Sequence, residues 1–108
     1  VSDHPKIAYK VLTREEFAQW QEDGTFAGSP ADLADGFIHL STIDQLSGTL
    51  QKHFSGISGL HIALIDLTAL GDTVRWEPSR GGALFPHVYG DLPFAAMTSF
   101  ERLPFAIT

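Results

Sequence analysis

At 108 residues, with 44% apolar content, eight Phe and two Trp, the chain has material for one core in a single domain, 1–108, and too little polarity for a disordered tail. The absence of Cys excludes disulfides, thiolate metal sites and cysteine nucleophiles, and favours a reducing, cytoplasmic setting. Seven Lys and Arg against 13 Asp and Glu give a net charge of −6 that repels a phosphate backbone, and the longest apolar run, near Leu60–Ile65, is far shorter than the roughly 20 residues of a membrane helix; neither broad nucleic-acid binding nor a membrane partner is expected.

In chain order, Ile7–Leu12 is rich in strand formers and predicts a strand. Thr13 then caps a helix, with Glu16 as its box partner, Phe17 and Trp20 on one face and Gly24 at its end. Residues 25–33 read as a loop in which Ser29 and Pro30 start a short helical turn. Residues 36–40 predict a short buried strand, after which Ser41 or Thr42 caps a helix with Ile43, Leu46, Leu50 and Phe54 on one face. Thr42 and Gln45 form a second capping box, and Gly48 weakens that helix. Residues 60–66 predict a central strand, 74–77 and 85–89 two short strands around a Gly-Gly turn, and 97–103 a last strand. The sum is an α+β fold without internal repeat or linker.

Two segments concentrate reactive side chains among turn formers: Asp35-Gly36-Phe37-Ile38-His39-Leu40-Ser41-Thr42, and Trp76 through Gly90. His39 ends a strand and precedes a helix start, an address that suits either a ligand-binding imidazole or a histidine bonded to backbone at the core edge. Ser41 and Thr42 are first of all caps, and Ser41 is also a candidate binding residue. Glu77 adjoins Trp76, whose ring would raise the carboxylate's pKa for proton transfer; the alternative is a Glu77–Arg80 ion pair holding the Pro-Ser turn. Trp76, Ser79 and Arg80 are candidate binding residues of that turn. Across Val88, His87 and Tyr89 point to one face of an extended segment and form a recognition surface, or else stack over the core edge. Histidines at 4, 39, 53, 61 and 87 lack the short spacings of a metal pair, so no metal is predicted. No Gly-x-Gly-x-x-Gly, phosphate-binding loop or Gly-x-Ser-x-Gly elbow is present.

On Ala8-Tyr9-Lys10-Val11, the segment from Asp35 to Thr42, Trp76-Glu77-Pro78-Ser79 and Phe85-Pro86-His87-Val88-Tyr89-Gly90, the chain resembles the bacterial family catalogued as domain of unknown function 952. That family looks distantly similar to the ADP-ribosyltransferase superfamily. The resemblance implies a split, strongly bent antiparallel sheet with flanking helices and a cleft that takes NAD or ADP-ribose. It also implies a role for each candidate. His39 would hold the adenosine-side ribose, Arg80 a phosphate, and Tyr89 the base or a ribose, while Glu77 or His87 handles a proton. Many transferases carry a glutamate on the late strand; Phe85–Tyr89 carries none, which leaves Glu77 on the neighbouring segment as the carboxylate. A non-catalytic module for a nucleotide or other small metabolite is the alternative reading, and a protein-interaction domain the third.

Overall fold

The computed structural model describes residues 4–107. Strand β1 (Ile7–Leu12) leads into α1 (Arg14–Asp23), where the Thr13 hydroxyl accepts from the Glu16 amide at 3.1 Å and the Glu16 carboxylate accepts from the Thr13 amide at 2.9 Å. The reciprocal box satisfies two N–H groups that a helix start otherwise leaves orphaned. Phe17 and Trp20 go inward from this helix, and Trp20 is fully buried with its indole N–H donating to the Leu92 carbonyl at 2.9 Å.

The stretch expected as a loop is more ordered than its turn-forming composition suggests. It holds β2 (Thr25–Phe26) and a second capped helix, α2 (Pro30–Asp35), with Ser29 as cap and Asp32 as its box partner. β3 (Ile38–His39), α3 (Ile43–His53) and β4 (His61–Asp66) follow. A 3-10 segment over Leu67–Thr73 precedes β5 (Val74–Pro78), and a 3-10 turn at Arg80–Gly82 leads to β6 (Leu84–Val88). β7 (Leu92–Pro93), a 3-10 turn over Phe94–Ala96 and β8 (Met97–Arg102) complete the described chain.

The architecture is α+β, with antiparallel sheets and flanking helices. β4 lies centrally between β1 and β8, β6 lies between β3 and β5, and β2 pairs with β7. β4 alternates buried and half-buried residues, as expected of a strand with one face on the core, and Ala63 and Ile65 are fully buried. The two three-stranded sheets meet through one segment. Leu40 N–H donates to the Pro86 carbonyl on one side, while Ser41 and Tyr9 exchange backbone hydrogen bonds of 2.9 and 2.7 Å on the other. His39 stands at that junction, where the sheets diverge.

α3 departs from the expected pattern. No residue of it is fully buried, and Ile43 is exposed. Of the apolar face predicted at 43, 46, 50 and 54, Leu46, Leu50 and Phe54 are half-buried, while Thr49, Lys52, His53 and Phe54 border a cleft. Among the described residues no helix is long and apolar enough to cross a membrane.

Candidate functional site

The cleft encloses about 600 Å³ between β1, α2, the 38–41 segment, α3 and the 79–80 turn. That size suits a small-molecule ligand. His39, Ser41, Ser79, Arg80 and His87 line it, whereas Trp76, Glu77 and Tyr89 do not.

One pole is organised by Asp32, which is buried beside an equally buried Lys10. Its carboxylate accepts from Lys10 Nζ at 2.8 Å, from the Ser29 amide at 2.9 Å and from the His39 amide at 3.1 Å, and its Oδ1 lies 2.6 Å from His39 Nδ1. Burial alone raises the pKa of this carboxyl group. The His39 hydrogen bond, the Lys10 charge and the Ser29 amide outweigh burial and hold it well below the usual carboxylate range. The other ring nitrogen of His39, Nε2, meets Asp35 Oδ2 at 2.9 Å, so the imidazole is gripped by a carboxylate at each end. Lys10 also donates to the His39 carbonyl at 3.1 Å. His39 is thus fixed in orientation while part of its ring faces the cleft.

His87 stands beside His39 on the same wall, directly paired with it across β3 and β6, so the cleft runs alongside these two strands and not between them. Their ring centroids are 5.6 Å apart, and Phe37 stacks on His87 at 4.0 Å. His87 Nδ1 lies 2.8 Å from Glu77 Oε1, which also accepts from the Tyr89 hydroxyl at 2.7 Å. A carboxylate at Nδ1 selects the tautomer protonated there and leaves Nε2 as an acceptor. His87 Nε2 is buried and has no hydrogen-bond partner among the described residues.

Glu77 corrects the expectation of a raised pKa beside an apolar ring. The His87 and Tyr89 hydrogen bonds lower it, and the Tyr89 hydroxyl is raised in return by Glu77. The cause is strand geometry: consecutive residues of β5 face opposite ways, so Trp76 packs on the core side against His4 at 4.1 Å while Glu77 turns to His87. Trp76 therefore supports the fold and is not at the cleft. The alternative Glu77–Arg80 ion pair is absent among the described residues. Arg80 instead lies over the Phe85 ring at 5.0 Å and reaches the Gln45 carbonyl and Thr49 hydroxyl at 3.4 and 3.5 Å.

Ser41 is not the helix cap, a role Thr42 takes; the buried Ser41 hydroxyl sits 2.8 Å from that of Thr49. Ser79 lines the cleft, and its amide donates to Ala83 in the turn. Tyr89 reaches the site through Glu77 and through Phe37, whose ring is 5.3 Å from its own, with Arg75 over it at 5.0 Å. His61, the other buried imidazole, stacks on Phe17 at 4.3 Å outside the cleft.

Sequence reasoning passed over Lys10, Asp32, Asp35 and Thr49. Two signals were available for the buried pair. Lys10 falls on the same face of β1 as Ala8 and Leu12, and Ser29-x-x-Asp32 has capping-box spacing. Among the described residues no group of three or more His, Asp or Glu side chains is arranged to hold a metal ion.

No functionally curated protein matches the chain. The crystal structure of protein CC0527 from Caulobacter crescentus is 42% identical and superposes with a TM-score of 0.87, over 90% of this chain and 85% of that one. The solution NMR structure of CC0527 gives 41% identity and a TM-score of 0.81, over 93% and 86% of the two chains. Residues 11–100 match the family described as "Protein of unknown function (DUF952)", and the chain belongs to that family.

Proposed function

We propose that the chain is an ADP-ribosyltransferase-like protein that binds a nucleotide of the NAD or ADP-ribose class in the cleft that the paired His39 and His87 strands line together with α2 and α3. His39 keeps Nδ1 on the buried Asp32 while a ribose hydroxyl replaces the exposed Asp35 at Nε2, and Arg80 meets a phosphate. His87 handles the proton of the reaction. Its Nε2 accepts the proton of an attacking hydroxyl while Nδ1 stays with the Glu77 carboxylate, which stabilises the imidazolium that forms. The observation that carries this reading is the buried, unpartnered Nε2 on a ring that lines the cleft. Leaving a buried polar atom unpaired costs about 1–3 kcal/mol, and a ligand hydroxyl at that atom offsets the cost.

A second reading, a non-catalytic module that senses the same ligands, is favoured by the position of Glu77. Its carboxylate is engaged by two protein donors and lies outside the cleft wall, away from the place a ribosyl cation would need it. Calorimetric titration with NAD, ADP-ribose and AMP, followed by chromatography for released nicotinamide, separates the two. The transferase reading expects binding and release, with Glu77→Gln keeping affinity but lowering release by about 10²-fold or more and shifting its pH profile. Binding without release selects the sensing module. No binding of any of the three overturns both.

A further inference from the structure

Arg80 is placed by a device that helix stability alone does not explain. A glycine in a helix interior is unfavourable relative to alanine, yet Gly48 sits in the middle of α3. A Cβ at that position would stand 3.0 Å from the Arg80 guanidinium nitrogen, closer than such contacts normally come, and 3.6 Å from its central carbon, an ordinary contact distance, so the guanidinium would have to give by a few tenths of an ångström. The missing side chain is the space in which Arg80 lies across the helix, with the Phe85 ring beneath it. Its protein hydrogen bonds there are long, 3.4 and 3.5 Å, and it makes no ion pair with a described carboxylate. The guanidinium is therefore seated but not neutralised.

One further cation lines the same end of the cleft, Lys52 in the last turn of α3, beside His53, whose pKa is pushed below its ordinary value by burial and then by the charges of Arg80 and Lys52, so that it joins them as a neutral imidazole. A lysine in a last turn is also favoured by the helix dipole, whereas no dipole accounts for Arg80. Of the acidic side chains of the cleft, Asp32 and Asp35 are engaged with Lys10 and His39 at the other pole, and Glu16 accepts from the Thr13 amide. The cleft is thus polarised, cationic at α3 and the 79–80 turn, and imidazole–carboxylate at α2 and β3.

We propose that Arg80, seated by Gly48 and Phe85 and flanked by Lys52, His53 and Thr49, is a phosphate subsite that fixes the direction of the ligand. The phosphate lies under α3 and the ribose hydroxyls lie toward His39. This rests on the nucleotide reading for the ligand's identity but not for the anion. A planar guanidinium with free N–H groups binds phosphate oxygens in pairs, which a lysine in its place would not do.

The experiment compares inorganic phosphate, adenosine, AMP and ADP-ribose by calorimetry on the wild type, Arg80→Gln and Gly48→Ala, with a melting curve for each protein. AMP is expected to bind about tenfold or more tightly than adenosine, and Arg80→Gln to remove that advantage. Gly48→Ala separates seat from scaffold. It is expected to raise the melting temperature through better helix propensity while weakening phosphate and AMP binding, opposite signs that a purely structural glycine does not give. Equal affinity for adenosine and AMP, or phosphate binding unchanged in Arg80→Gln, overturns the subsite while leaving the nucleotide reading standing. Arg80-dependent binding of phosphate without binding of any nucleoside or nucleotide supports the subsite and sinks the nucleotide reading.

Discussion

Asp32 ties together three separate pieces of chain. Through one carboxylate it caps the start of α2 at Ser29, pairs with Lys10 of β1 and fixes both the amide and the ring of His39 on β3. The packing around it is close. Gly28 has φ +131°, and a Cβ there would come within 2.8 Å of Asp32 Cβ, so only glycine lets the chain pass. Removing one member of a buried, hydrogen-bonded charge pair leaves the other uncompensated, and Asp32→Asn is expected to cost about 3–5 kcal/mol in urea denaturation. The pH dependence follows from the same contacts. Because His39, Lys10 and Ser29 hold the folded pKa below its ordinary value of 3.8, despite burial, the contribution is fully present above that value and is lost as pH falls through the folded one. Denaturation curves from pH 6 to pH 2 should show the wild type losing stability below about pH 4 and Asp32→Asn losing less there. Equal slopes would remove Asp32 as the acid-sensitive group.

Among elements, α1 and α3 are built on the same capping logic and end in different roles. Trp20 closes α1 onto β7, and Trp20→Phe, which empties volume and strands the Leu92 carbonyl, is expected to destabilise by about 2–4 kcal/mol in the same assay. Thr13→Ala should cost about 1 kcal/mol through the lost box. α3 is different because its inner side faces the cleft, and this is where reading the sequence reached its limit. The strands β1, β4 and β8, the inward face of α1 and the boxes at Thr13 and Thr42 are local and were legible, since each depends on residues within a few positions of one another. The face of α3 was legible in part: Leu46, Leu50 and Phe54 are half-buried and Ile43 is exposed, but apolar spacing does not report that Thr49, Lys52 and His53 border a cleft. Trp76 was misplaced for a related reason: adjacency in sequence was taken as adjacency in space, which strand alternation forbids. His39 and His87 could be named from their motifs, but their pairing across β3 and β6 joins residues 48 apart, and no local pattern encodes it.

At the scale of the whole molecule, the net charge of −6 and the cationic end of the cleft act over different distances. The acidic field disfavours a long polyanion, whereas at contact distance a seated guanidinium outweighs a screened net charge. A small phosphate ester is the anion that satisfies both. A helix bordering open volume is also a place where a ligand completes the packing, so ligand binding should raise the melting temperature with the logarithm of ligand concentration over Kd once the site is saturated. The most direct test is an amide NMR titration of the ¹⁵N-labelled protein with ADP-ribose. The account predicts saturable shifts at His39, Ser41, Thr49, Arg80 and His87, with the β8 amides Ser99 and Glu101 unmoved. Shifts confined to β8, or none at millimolar ligand, would contradict it.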